Sequence, residues 1–279
     1  MIVHALGIPK LRFNALLGGV IVLFLCAVAV AGPWLVFYDP LKLDLVSRLQ
    51  GPSAIHYLGA DEFGRDVLSR LVYGARTSAW IAFSTVVFAI VLGTVLGVVA
   101  GFLRGWTDRI IMVFNDALLA FPGLLLALGF MAVFGASQNG IIVALGLAYA
   151  PVVARVVRGA VLSIREREFV EASRAMGNSE IVTMARHVLP NCVAPIIVLA
   201  TTMFGWIILA ESALSFLGLG VPPPSPSWGN MLSTARPYIG QAPHLIVLPG
   251  LCIAVTLLGV NMLGDALRDW LDPKMQVSS

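Results

Sequence analysis

Long apolar stretches alternate with short charged ones along the whole chain. Runs without Asp, Glu, Lys or Arg cover 13–38, 77–103, 117–154, 188–210 and 237–264. A helix needs roughly 20 residues to cross the hydrocarbon core of a bilayer, so each run is long enough for a crossing. The third is too long for one. The cluster Gly135-Ala-Ser-Gln-Asn-Gly140 interrupts it with strong turn chemistry, which divides it into two helices joined by a tight loop. The pattern predicts six spanning helices near 14–37, 79–102, 114–134, 140–162, 193–213 and 244–264. The first run has a basic flank (Lys10, Arg12), but it exceeds the ~7–15 apolar residues of a cleaved signal segment and reads as a retained helix. The expected fold class is all-α and polytopic in a membrane.

Composition narrows the function classes. Hydrophobic residues make up 58% of the 279 and charged residues 12%. Soluble domains carry about 25% charged residues, so this chain cannot clothe itself as a water-soluble enzyme. Its apolar content excludes disorder. Cys26, Cys192 and Cys252 lie far apart within apolar stretches, which fits neither a disulfide framework nor a zinc site. His4, His56, His187 and His244 are equally scattered, so no metal site is expected. A net charge of +3 gives no reason to expect nucleic acid as a partner. Six crossings put both ends on one side. Twelve of the eighteen Lys and Arg residues fall in the segments of that side, and the positive-inside rule then places both termini in the cytoplasm.

Several features go beyond hydropathy. Gly93, Gly97 and Gly101 recur every fourth residue and predict a groove for close helix packing. Pro122, Pro151, Pro195 and Pro249 lie in or near spans, where each bends or breaks a helix. Broken helices serve either packing or a transport pathway, and four prolines together point to a transporter. Glu211 ends an apolar run near the expected outer interface. It is a candidate for the translocation pathway, with an interfacial or structural role as the alternative. Asn115 and Asp116 are expected at the inner interface. The stretch Gly218–Gly229, with Pro222-Pro-Pro224 and an expected exposed Trp228, is a stiff outer loop. It suits docking of another protein, or it only orders the connection between two spans.

The inner loop of 164–190 is the most charged on its side. Residues around Val170–Met176 fit a short amphipathic helix, Gly177 a stop, and Ser179–His187 a second short helix before Pro190. A helix–glycine–helix knob can be gripped by a soluble partner; the same composition also fits a loop resting on lipid. No Gly-x-x-x-x-Gly-Lys-Ser/Thr sequence occurs, and Lys10, Lys42 and Lys274 are the only lysines. The chain is therefore expected to be non-catalytic, with no cofactor of its own, and any ATP must be hydrolysed by another chain.

These stretches resemble the permease subunits of binding-protein-dependent ABC importers, in the dipeptide, oligopeptide and nickel branch, and most of all the second, shorter permease of the pair. The inner loop matches the family's E-A-A…G…I-x-L-P signature at Glu171-Ala172-Ser173, Gly177 and Leu189-Pro190. It departs from that signature in having Ser173 for the second alanine and His187 where isoleucine is usual. Leu58–Arg70 with Tyr73–Arg76, Ser215–Gly220 through Trp228-Gly229, and Gly264–Pro273 are also typical of the branch. Together the four matches run from about Leu58 to Pro273.

The resemblance implies a type I importer core of five spans in 77–279, preceded by a peripheral first helix and periplasmic segment in 1–76. Glu171, Ala172, Ser173, Ala175, Met176, Gly177, Leu189 and Pro190 would form the coupling segment seated on a cytoplasmic ATPase. Two ATPase subunits would bind ATP and magnesium, and a homologous second permease would complete the pore in the bacterial inner membrane. A periplasmic binding protein would dock near Asp61, Arg65, Asp66, Pro223 and Trp228. Di- or oligopeptides are the expected cargo, with nickel chelates, glutathione or opines as alternatives. A rival of another class is an ion-coupled secondary transporter, for which Glu211 is the one intramembrane carboxylate on offer. A third reading is a purely structural scaffold.

Overall fold

The computed structural model describes residues 10–271, with side chains from residue 13 onward; the side chains of Lys10 and Arg12, and Lys274, lie outside the described residues. Among the described residues, ten α-helices carry the fold: α1 (Lys10–Leu35), α2 (Val67–Leu103), α3 (Gly105–Leu119), α4 (Gly123–Phe134), α5 (Gln138–Ile164), α6 (Glu168–Ala175), α7 (Glu180–Thr183), α8 (Val193–Phe216), α9 (Trp228–Ala235) and α10 (His244–Leu271). No strand occurs among the described residues; the closest feature is a single bridge between Ala60 and Asp66.

Among the described residues, five helical stretches are long and apolar enough to cross a membrane, and a sixth crossing arises if the bent pair α3–α4 counts as one span. The expected span of 114–134 is not one helix. It is split between α3 and α4, which meet at 97°. Pro122 lacks the amide hydrogen that would continue α3, and the residue before a proline disfavours helical geometry, so the chain turns at Phe121-Pro122. The other prolines act differently. Pro151 and Pro249 lie inside continuous helices, and Pro195 sits near the start of α8.

Helix α2 is longer than the span expected from hydropathy. Its 37 residues extend roughly 55 Å at about 1.5 Å per residue, so one end projects well beyond an apolar slab. Its partner is α5, and their seam is the most extensive in the molecule. The glycine groove makes that seam: a Cβ on Gly93 would lie 2.6 Å from the Ala150 carbonyl, and one on Gly101 3.0 Å from Val161. Small residues let the backbones approach, and dispersion between close surfaces holds helices together where lipid removes the hydrophobic drive. Helix α1 is the least buried of the long helices and packs on α2 and α10.

Candidate functional site

Two assemblies occupy opposite ends of α2. At the Leu103 end, α5 leads into residues 165–192. Arg165 donates from Nη1 to the carbonyls of Phe102 (2.5 Å) and Gly101 (3.3 Å), and Arg104 pairs with Glu166 at 2.7 Å. Helix α6 follows, then Gly177 in the left-handed region at φ +81°, then α7, whose first turn is capped by Ser179. The expected helix–glycine–helix is therefore present. Beyond α7 the chain stays helical through a wide turn at Met184–Val188 and a tight one at Leu189–Cys192.

The two short helices are tied by Ser173. Its side chain is fully buried and lies 3.0 Å from the Thr183 hydroxyl, and Asn178 Nδ2 donates to Ser173 Oγ at 3.1 Å. Val170 is also fully buried beneath α6. Glu171, Ala172, Ala175, Met176, Gly177, Leu189 and Pro190 remain exposed, as do Ile181 and Val182. Of the large apolar side chains on this rim, Met176 and Ile181 are the most open, at 74% and 73%. A buried spine with apolar and acidic groups on its outer rim can accept a protein partner.

At the Val67 end, residues 36–66 fold against 217–243. The environment of Asp61, Arg65 and Asp66 differs from the docking surface expected of them. All three are buried and engaged with one another's neighbours. Asp61 accepts from Arg65 Nε (2.6 Å) and from the amides of Phe63 and Arg65 (2.9 Å each), and Arg70 Nε lies 3.2 Å away. Glu62 accepts from Arg65 Nη2 at 3.1 Å. Burial, with the Asp61 charge second, pushes the Glu62 carboxyl above its ordinary value. Asp66 caps α2 by accepting from the Ser69 amide and hydroxyl, both 2.8 Å, and its other oxygen meets His56 Nδ1 at 3.0 Å. Gly64, at φ +73°, turns tightly against the Asp44 backbone, where a Cβ has no space.

Trp228 is likewise not the exposed anchor expected. It is 3% exposed, its indole N–H donates to the Leu71 carbonyl at 3.0 Å, and its amide donates to Ser78 Oγ at 3.1 Å. Pro222, Pro223, Pro224 and Ser225 form the outward corner instead. Between that corner, Glu62–Arg70 and α9 lies a cavity of about 310 Å³.

Glu211 is sealed rather than near water, at 1% exposure. Ser215 and Ser227 both donate to its Oε1 at 2.9 Å, while Oε2 is buried without a partner. Since Ser227 also caps α9 in a reciprocal box with Asn230, Glu211 ties the outer segment to α8. Asn115 is buried, with Nδ2 on the Pro151 carbonyl at 3.1 Å, whereas Asp116 is exposed beside Arg155.

Residues 93–277 match the profile of a family described as the binding-protein-dependent transport system inner membrane component. The chain belongs to that family. It is a transport permease, and its curated relatives carry matching names. It is 44% identical to the dipeptide transport system permease protein DppC of Alkalihalophilus pseudofirmus, over 94% of this chain and 86% of that one. It is 41% identical to the glutathione transport system permease protein GsiD of Pectobacterium atrosepticum, over 94% and 87%. Among solved structures, the inward-facing MetNI methionine ABC transporter shares the fold, with a TM-score of 0.61 at 20% identity, covering 72% of this chain and 96% of that one.

Three features of this permease escaped the sequence reading. In the sequence Ser173 stands only as a departure from the second alanine of the signature, whereas in the fold Thr183 and Asn178 lie within hydrogen-bonding reach of it. The ionic cluster could have been suspected from Asp61 and Arg65 at an i, i+4 spacing. The anchoring of Trp228 on α2 joins residues 157 apart in sequence, and no local signal announces it.

Proposed function

We propose that the chain is one of two permease subunits in an ATP-driven importer of short peptides, with residues 164–190 as the segment through which cytoplasmic ATPases drive it. The observation that carries this reading is the exposed rim of Glu171, Met176, Gly177 and Ile181 on a buried Ser173–Thr183 spine, at the opposite end of α2 from the outer segment. The names of the curated relatives support peptides as cargo, and glutathione, itself a peptide, is the alternative that one set of relatives supports.

In this reading six spans cross a bacterial inner membrane, both termini are cytoplasmic, and residues 77–279 are the core after a peripheral 1–76. ATP closure of two ATPase subunits draws the coupling segments of two permeases together. The pore then opens outward beneath a docked binding protein, whose contact is the Pro222–Ser225 corner. Asp61, Arg65, Asp66 and Trp228 support that contact from behind by fixing the shape of the outer segment. Coupling requires two global states that nucleotide and cargo bias in the same direction.

The test is uptake of a labelled dipeptide into liposomes holding both permeases and their ATPases, with the binding protein added outside the bilayer face it serves. ATP-dependent uptake is expected, and Gly177→Pro should abolish it while the chain still inserts. Uptake driven by a proton gradient without ATP would overturn the reading in favour of a secondary transporter.

A further inference from the structure

We propose that Phe102 is a positioning residue that clamps the coupling segment to α2, so that displacement of that segment is passed along α2 to the outer assembly. The proposal rests on the coupling role given above. The Phe102 ring is 4% exposed at the last turn of α2. Two guanidinium groups stand over it, Arg165 at 5.7 Å and Arg174 at 5.6 Å from the ring centroid. These cations come from the two arms of the coupling segment: Arg165 opens it after α5, and Arg174 lies in α6.

The arginines are held there by complementary means. Arg165 is fixed by the Gly101 and Phe102 carbonyls, which end α2 and carry its partial negative charge. Arg174 is paired with Glu180 on α7, its Nε 3.1 Å from one carboxylate oxygen and its Nη2 donating to the other at 3.3 Å, and the Phe102 ring lies beside the same guanidinium. An aromatic quadrupole attracts guanidinium groups most strongly where water is excluded. One ring thus gathers α2, the exit of α5, α6 and, through Glu180, α7.

The far end of α2 is fastened just as firmly. The Asp66 cap, the Arg70 contacts with Asp61 and the Pro40 carbonyl, and the Trp228 bonds to Leu71 and Ser78 join it to both outer segments. An unbroken 37-residue helix anchored at both ends is stiff along its axis, and it carries movement instead of absorbing it.

The experiment uses the assembled importer in liposomes and replaces Phe102 with leucine, tryptophan and a series of progressively fluorinated phenylalanines. Leucine keeps apolar bulk and removes the quadrupole; fluorination keeps shape and weakens it stepwise. Cargo transported per ATP should fall about tenfold in Phe102→Leu. It should decline in proportion along the fluorinated series and return with Phe102→Trp. Subunit assembly should be unchanged throughout. Unaltered coupling in Phe102→Leu, or a fluorinated series with no trend, overturns the clamp. A separate cross-link from Met176→Cys to the ATPase distinguishes the two levels: its absence in otherwise wild-type complexes overturns the coupling role itself, whereas its presence with normal Phe102→Leu transport overturns only the clamp.

Discussion

Replacing Gly97 by alanine adds one methyl group where the α2–α5 seam has no room for it. A Cβ at that position lies 2.6 Å from the Ala154 carbonyl oxygen, 2.9 Å from Val157 Cβ and 3.0 Å from the Arg158 amide nitrogen. Ordinary van der Waals contact begins at 3.4 Å, so the helices must part by roughly half an ångström or more along a closely packed seam. Two of the three obstacles are backbone atoms, which cannot swing aside as a flexible side chain can. Overpacking of this kind costs about 1–3 kcal/mol. Alanine returns up to ~1 kcal/mol through its better helix propensity. The net expectation is a loss of roughly 1–2 kcal/mol, seen as a melting temperature about 2–8 °C lower. Gly93→Ala should behave alike, since its Cβ would meet Val153 and the Ala150 carbonyl at 2.5 and 2.6 Å. Gly101→Ala should be milder, with contacts of 3.0 and 3.1 Å. Gly159 is the control, because nothing lies within 4 Å of its added Cβ. Thermal loss of the monodisperse peak of purified permease measures the series. A Gly97→Ala protein melting at or above wild type, with Gly159→Ala no more stable than it, refutes the seam argument.

Other perturbations have equally definite outcomes. Glu211→Ala leaves the Ser215 and Ser227 hydroxyls without their acceptor, which should loosen the outer segment by about 1–3 kcal/mol and raise amide exchange across 218–235; unchanged exchange there would show that the tie is idle. Ser173→Ala strands Thr183 and Asn178, and amide exchange over 168–188 should quicken about fivefold, while expression stays normal. The Glu62 carboxyl is raised above 4.5 by burial and by Asp61, so the folded state holds that proton more tightly than the unfolded one. Its charge therefore costs the native state nothing at acid pH, and the cost grows as pH rises through the raised value. Glu62→Gln should remove that slope and gain stability relative to wild type as pH increases, measured by melting between acid and neutral pH. A stability difference that does not vary with pH would show that Glu62 does not titrate in this range.

The sequence made the long helices legible because lipid demands a length of apolar residues that no polar loop can imitate. The glycine groove was legible for a similar reason: Gly93, Gly97 and Gly101 share one helix face at every fourth position, and the structure fills that face with α5. The break at Pro122 was not, because hydropathy reads α3 and α4 as one apolar run and is blind to a 97° turn inside it. The charges of 61–70 misled for a different physical reason. Sequence shows ionisable groups but not their partners, and Asp61, Glu62, Arg65 and Arg70 pair with one another indoors instead of facing solvent. Glu211 followed the same course: Ser215 stands one turn away in sequence, but the second donor, Ser227, arrives only when the outer segment folds back.

The burial of Trp228 equips the molecule with an optical reporter. All six tryptophans fall among the described residues, and Trp34, Trp80, Trp106, Trp206 and Trp270 are open to the surroundings at 45–79%. Brominated lipids and water-soluble quenchers will extinguish those five and leave one sheltered indole, seated where the outer segment closes upon α2. Its residual emission therefore registers each opening of that closure in real time, without a dye or a new cysteine.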